Sequence, residues 1–474
     1  MGSEKKQMNV WWALTPIVVM IGVMMVTIIV LDKDPQVPLI VGTVAAGLVA
    51  FKHGFTWAEI EEMMYKGIKM ALPAIVIIML VGLTIGAWIG GGIIASMIFY
   101  GLKIISPTFF LVTITIICAI VATMTGTSWG TMGTVGVAGM GIGMSMGIPA
   151  AMVAGAVISG AYFGDKMSPL SDTTNLAAGL TGTDLFEHIK NMFYTTIPGL
   201  LIALTVYAIM GFQFKTDAIV SEDITSIMNT LQDNFVISPW LLLVPLTVIV
   251  LVVRKVPAIP AILVGVFLGW LAHIFVQGGD VATAVGVLHD GYVIKSGNAM
   301  VDELFNRGGL SDMMYTVSMT LVAMTFGGIL EFTGTLQVLV DKILRFARST
   351  GSLVTATIGT AFFTNMTCSE QYISVVVPAR MFAGAYEQRG LQSKNLSRAL
   401  EDGGTLTSVF IPWNTCGVFI YGTLGVMAFD YAPYAILNYM VPIISIIFAY
   451  TGFTMAKLTK EQMAAIQQAK QQEV

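Results

Sequence analysis

Long stretches of chain with almost no charge decide what this protein can fold into. Trp11–Leu31, Ala71–Ile89, Phe109–Met124, Trp240–Val253 and Ile259–Val276 are apolar runs. Several approach the ~20 residues a helix needs to cross a hydrocarbon core. Lipid offers no water to a bare N–H or C=O, so a spanning segment is a helix or a strand of a closed barrel. Barrel strands are about ten residues long and alternate in hydropathy, whereas these runs are longer and continuous. Composition agrees: of 474 residues, 55% are hydrophobic and 11% charged, against about 25% charged in a soluble domain. The predicted fold class is an all-α polytopic membrane protein of roughly 10–13 membrane segments.

The net charge of −4 names no partner, and no basic run points to nucleic acid. Cys118, Cys368 and Cys416 lie far apart in apolar stretches and read as small buried side chains. Lys5 and Lys6 precede an apolar run, as in a secretion signal. That run is long, however, and Asp32-Lys33-Asp34-Pro35 follows it without a small-residue cleavage site, so it reads as the first membrane helix.

Lysine and arginine placement sets orientation. The tail Met1–Met8, the loop holding Lys52, Lys66 and Lys69, the pair Arg254-Lys255, and the tail with Lys457, Lys460 and Lys470 are basic. Asp217–Asp233 holds four acids and neither lysine nor arginine. Both termini are thus expected in the cytoplasm and the acidic linker outside. The domains expected are a first repeat at 1–213, an external linker at 214–234, a second repeat at 235–456 and a cytoplasmic tail at 457–474.

The two halves resemble each other along one diagonal. Leu80–Gly86 matches Leu321–Gly327, Leu111–Thr113 matches Leu353–Thr355, Met124–Thr127 matches Met366–Ser369, Pro169 matches Pro412, and Pro198 matches Pro442. The loop after the second helix of the first half is cytoplasmic by its lysines; its counterpart, about 277–311, follows a helix that starts at Arg254-Lys255 and is expected outside, although it contains Lys295 and Arg307. The expectation is two repeats of inverted topology, with broken helices or re-entrant hairpins at the midplane. That is the plan of many secondary transporters.

The interruptions fall at matching places. Met124–Gly130 breaks an apolar segment with hydroxyls and glycines, and its partner is Asn365–Gln371; Gly164–Asn175 is a polar insertion matched by the milder Thr407–Thr415. Gly126, Pro169 and Pro412 are the expected break points, proline because it lacks an N–H and clashes with the preceding turn. Freed carbonyls and hydroxyls suit a hard cation. Carboxylates at membrane depth are costly and usually functional, and each holds a proton or a cation. The candidate ion- and proton-binding residues are Asp165, Asp172, Thr127, Ser128, Ser168, Thr173, Glu370, Asn414 and Thr415, with Na⁺ on Asp165 and Asp172.

Alternatives stay open at several positions. Asp165 to Asp172 also fits an ordinary interfacial turn, Glu370 is an ion site or a helix cap, and Lys166 is a counter-ion or snorkels to the interface. Glu331 is a second membrane carboxylate or sits at a helix end. Arg380, Arg389, Lys394 and Arg398 read as a solvated basic loop, with Arg380 the one that would reach an anionic substrate. Gly139, Gly143, Gly147, Gly160 and Gly164 follow a close-packing spacing. Among the scattered histidines, His188 is the one placed to sense pH. No nucleophile–base pair or metal cluster suggests an enzyme.

Three segments give the chain a resemblance to a known family: Thr125–Thr131, Gly160–Thr174 and Ile411–Thr415. It resembles the NhaC-type sodium/proton antiporter family, within a superfamily of inverted-repeat ion transporters, over nearly its whole length. The resemblance implies exchange of Na⁺ for H⁺ in a prokaryotic cytoplasmic membrane, no cofactor beyond the transported ions, a role in pH homeostasis and a homodimer with a scaffold and a moving transport domain. Some members look like organic-acid exchangers that couple malate and protons to sodium and lactate, which is the alternative reading. A dicarboxylate needs positive charge or helix N-termini, and the first-half segment offers Lys166 but no arginine.

Overall fold

The computed structural model describes residues 8–31, 33–214, 218–254, 256–344 and 347–459. Most of both tails, including Lys5, Lys6, Lys460 and Lys470, and also Asp217 and Lys255, lie outside the described residues, so the sidedness expected from them lies outside too. Within the described residues the backbone is helical and forms no strand; an isolated antiparallel bridge joins Leu391 and Lys457. Intrahelical bonding is what apolar runs in lipid require.

The first half opens with α1 (Val10–Met25), α2 (Gln36–Lys52) and α3 (Trp57–Gly90). A capping box starts α3, with Thr56 accepting from the Glu59 amide and Glu59 accepting from the Thr56 amide. At 1.5 Å per residue its 34 residues span about 51 Å, more than a ~30 Å hydrocarbon core. After α4 (Ile93–Ile104) comes α5 (Pro107–Thr125), then α6 (Ser128–Thr131), which runs through a π-helical turn at Met132–Gly136 into α7 (Val137–Ser145). α8 (Ala150–Met167) breaks at 168–171 before α9 (Asp172–Leu180), and α10 (Leu185–Gly211) closes the half.

The acidic linker is itself largely a helix, α11 (Ala218–Asn234). Beyond it lie α12 (Leu243–Val253), α13 (Ala258–Phe275), α14 (Val281–Asp290), α15 (Ala299–Phe305) and α16 (Gly309–Asp312), which leads into α17 (Met314–Phe332). The loop that weighed against an outside position is tied down: Asp302 accepts from the Ser296 amide and hydroxyl, each at 2.7 Å, which lowers its pKa. α18 (Thr335–Leu344), α19 (Thr350–Cys368), α20 (Gln371–Gln388) and α21 (Ser393–Leu400) follow. A π-helical turn at Glu401–Thr405 and a short 3₁₀ turn extend α21 to Phe410. The chain then breaks at 411–414 and resumes as α22 (Thr415–Leu424), α23 (Ala428–Tyr431) and α24 (Ile436–Thr451).

Among the described residues, four helices are long and apolar enough to span a membrane: Trp57–Gly90, Pro107–Thr125, Leu185–Gly211 and Gly309–Phe332. Two further pairs pass only when joined across bends of 93° and 89°. The remaining apolar helices are shorter. Together these long, bent and shorter apolar helices make an all-α polytopic membrane protein, as expected.

Glycine sets the closest helix contacts. A Cβ on Gly160 would stand 2.2 Å from the Thr115 carbonyl oxygen of α5, and one on Gly164 would stand 2.3 Å from that of Ala119. Gly67 of α3 meets the Met324 carbonyl of α17 in the same way, at 2.2 Å. Lipid gives apolar side chains no reason to prefer each other, so such backbone contact is what holds helices together. The large apolar side chains left outside, among them Ile104 at 81% and Phe275 at 79% exposure, form a surface suited to acyl chains. Cys118, Cys368 and Cys416 are buried and unpaired, as expected.

Candidate functional site

The matched interruptions take the same local form in both halves. α5 and α19 each have 19 residues, and each stops at a left-handed residue, Gly126 with φ 70° and Ser369 with φ 59°. Each restarts at a residue that caps the next helix: Thr127 accepts from the Gly130 amide at 3.2 Å, and Glu370 accepts from the Tyr372 amide at 2.5 Å and the Ile373 amide at 3.2 Å. The proline breaks behave alike. After Pro169, Ser171 caps α9; after Pro412, Asn414 caps α22. Gly126 is required twice over, since a side chain there is strained at that φ and its Cβ would lie 2.7 Å from the Leu170 carbonyl carbon.

Both turns open on one cavity of about 110 Å³. Asp165, at the end of α8, faces the first turn and accepts from the Ser128 hydroxyl at 2.6 Å and the Ser128 amide at 3.0 Å. Its second oxygen, Oδ1, is buried without a hydrogen-bond partner. Asp172, at the start of α9, accepts a hydrogen bond from the Tyr372 hydroxyl of the second half. Glu370 is 4% exposed, and its other oxygen accepts from the Thr415 hydroxyl at 3.5 Å. Thr127, Ser128, Trp129, Thr173 and Gln371 complete the polar side, while Met70, Pro73, Ala74 and Ile77 of α3 form the apolar wall. Among the described residues the lining holds three carboxylates and no lysine, arginine or histidine.

Trp129 stacks on Phe419 of α22, ring centroids 4.2 Å apart and planes within 11°. By helical rise, Phe419 lies about 6 Å along α22 from Thr415 and about 7.5 Å from Leu424. A second cavity of about 330 Å³, lined by Glu303, Arg307, Asp312 and Tyr421, begins at the Leu424 end. The stack thus ties the wall of the first cavity, which Trp129 lines, to the middle of α22, short of the end where the second cavity begins.

Residues 5–161 and 160–453 match the sequence profile of the Na⁺/H⁺ antiporter family. The chain belongs to that family. It is 38% identical over 454 residues to the Na(+)/H(+) antiporter NhaC of Alkalihalophilus pseudofirmus, covering 96% of this chain and 98% of the relative. With the Na(+)/H(+) antiporter NhaC of Bacillus subtilis the identity is 37%, over 95% and 99%. The Malate-2H(+)/Na(+)-lactate antiporter of Bacillus subtilis is 36% identical, over 92% and 94%.

Of the residues singled out in the sequence, Asp165, Asp172, Thr127, Ser128, Thr173 and Glu370 line this family member's cavity. Thr415 reaches it only through Glu370. Ser168 and Asn414 do not line it: the Ser168 hydroxyl accepts from the Leu170 amide at 3.2 Å, and the Asn414 amide bonds Asn365 across the break at 411–414. Both buttress the turns instead. Asp165 and Asp172 do not share a helix face, because the break at 168–171 lies between them. Glu370 is both a cap and a cavity group. Glu331 and Arg380 are not among the lining residues, and Arg380 is exposed.

Two readings are corrected. Lys166 does not snorkel: it is fully buried and paired with Asp402 at 2.5 Å. Arg398 is not solvated but 1% exposed, bonding Asn191 at 3.2 Å and Thr454 at 3.0 Å. His188 is likewise fully buried within α10, with both ring nitrogens unpartnered. Sequence reasoning missed Tyr372, which follows the second-half break directly, and Pro73, a proline inside an apolar run. It also missed Glu401 and Asp402, which read as a polar helix end before Gly403-Gly404.

Proposed function

We propose that this protein exchanges Na⁺ for H⁺ across a prokaryotic cytoplasmic membrane, the two ions competing for Asp165, Asp172 and Glu370. One observation carries the reading: the cavity joins carboxylates from both halves with no positive side chain among them. A cation neutralises such a site and an organic anion is repelled by it. Size points the same way. About 110 Å³ admits an ion with a few waters, whereas sites for small organic molecules run to about 300–1,000 Å³. Asp165 Oδ1, which makes no hydrogen bond, is the oxygen best placed to receive the ion, and Thr127 and Thr173 line the same cavity.

Competition alone gives exchange. A carboxylate holding a proton offers no charge to Na⁺, and one holding Na⁺ rejects a proton. If the empty charged site stays in place while either loaded form crosses, the ions move only in opposite directions. The two turns, each with its partner break, provide related surfaces on either side of the cavity, and inverted repeats would present them to opposite faces of the membrane. The exposed Lys52, Lys66 and Lys69 near the start of α3 support a cytoplasmic position for that end and for both termini. The dimer and the part in pH homeostasis rest on the family alone.

In everted vesicles holding the protein, added Na⁺ dissipates a preformed pH gradient at alkaline pH. The organic-acid reading instead requires malate and lactate for the same response. A gradient that ignores Na⁺ but collapses with those acids rejects the exchange of bare ions.

A further inference from the structure

Behind the cavity lies a second buried polar cluster that ion competition at the cavity does not use. α8 turns Asp165 toward the cavity and the next residue, Lys166, toward the π-helical turn Glu401–Thr405, where it pairs with Asp402. Gly403 and Gly404 allow that turn to wedge in: a Cβ on Gly403 would lie 2.8 Å from Ile358 Cα of α19, and one on Gly404 would lie 2.9 Å from Ser374 Oγ of α20. The wedge carries Glu401 inside. Its side chain is fully buried and neither carboxylate oxygen has a hydrogen-bond partner. Thr405 on the same turn approaches it without bonding geometry. Asp165, Lys166 and Asp402 all lie within electrostatic reach of Glu401.

A bare carboxylate in that position is not sustainable, since burying an unpaired charge costs several kcal/mol and the group takes up a proton or a cation instead. π-helical turns recur at functional sites. We propose that Glu401 is a proton-binding site separate from the sodium cavity, which takes up the exchanged H⁺ and passes it to Asp165. In the transfer an O–H bond breaks at Glu401 and one forms at Asp165, and the carboxylate left behind is stabilised by the Lys166 ammonium. The other groups around the turn are His188 of α10, Arg398 of α21 and Tyr386 of α20. α19 and α24 meet the turn with the amides of Asn365 and Asn438, which bond the Gly404 and Leu406 carbonyls. α9 brings Thr174, and its acid, Asp172, belongs to the cavity.

This inference rests on the exchange reading, and its test separates the two. Parent, Glu401→Gln and Glu401→Asp proteins in liposomes are compared by sodium-driven proton flux and by exchange of radioactive sodium against sodium, which needs no proton. Glu401→Gln is expected to keep sodium–sodium exchange within about twofold while proton flux falls roughly tenfold or more; Glu401→Asp lies between. If Gln unfolds the turn, the Asp variant decides, because a shorter carboxylate must slow protons and spare sodium. Parent-like proton flux in Glu401→Gln overturns the proposal, as does loss of both exchanges in both variants. A parent protein that moves no protons on sodium addition refutes the exchange reading itself, before any variant is compared.

Discussion

Asp165 accepts two hydrogen bonds from Ser128 and keeps one oxygen free, so Ser128 fixes the direction in which that free oxygen points. A group that orients a cation's ligand typically matters by 10–100-fold in affinity. Ser128→Ala is therefore expected to weaken the apparent Na⁺ affinity by about tenfold with little loss of maximal rate, read from the sodium dependence of exchange. At this scale the sequence was informative where polar residues interrupt an apolar run. Asp165, Asp172 and Glu370 stand out because a charge at membrane depth needs a reason. Glu401 and Asp402 did not stand out, because basic residues precede them and two glycines follow, which is how a solvated helix end reads. Only the wedge between α19 and α20 shows them to be interior. Lys166 was ambiguous for the same reason, since its partner lies 236 residues away.

α5 and α8 touch backbone to backbone at Gly160 and Gly164. Gly164→Ala brings a methyl against the Ala119 carbonyl and the Thr123 amide nitrogen, at 2.3 and 2.5 Å. Main chain cannot rotate aside as a side chain can, so the helices separate. The expected cost is about 1–3 kcal/mol, measurable as a lower unfolding temperature of the purified protein. Because Asp165 follows Gly164 directly, exchange should fall as well. The glycine spacing was visible in the sequence as a packing device; which helix it met was not. The breaks at Gly126, Pro169 and Pro412 were legible because proline and glycine have local consequences. That the acidic linker is mostly a helix, α11, was not, since its acids and polar residues hide a face that packs on α4, α7 and α15.

Over the whole molecule, two hairpin-like turns and the broken helix of the first half line one cavity, and the broken helix of the second half reaches it through Thr415 and Glu370. Each turn is fastened to the broken helix of its own half: Ser128 to Asp165 in the first, and Ser369, whose carbonyl accepts from the Thr415 amide at 2.9 Å, in the second. Competition at shared carboxylates sets a pH dependence with a definite sign. As pH falls, protons occupy the sites and the sodium concentration for half-maximal exchange rises, approaching about tenfold per pH unit where the sites are mostly protonated. A half-maximal concentration that does not move with pH contradicts competition.

The stacked rings of Trp129 and Phe419 have a consequence for fidelity. Trp129 belongs to the wall of the acid-lined chamber, and the ring it rests on sits mid-way along the helix whose far end borders the Arg307 basin. Phe419→Ala is expected to short-circuit the device, giving a sodium current that follows voltage and carries no obligatory counterflow of protons, recorded as conductance across a planar bilayer where the parent is electrically tight.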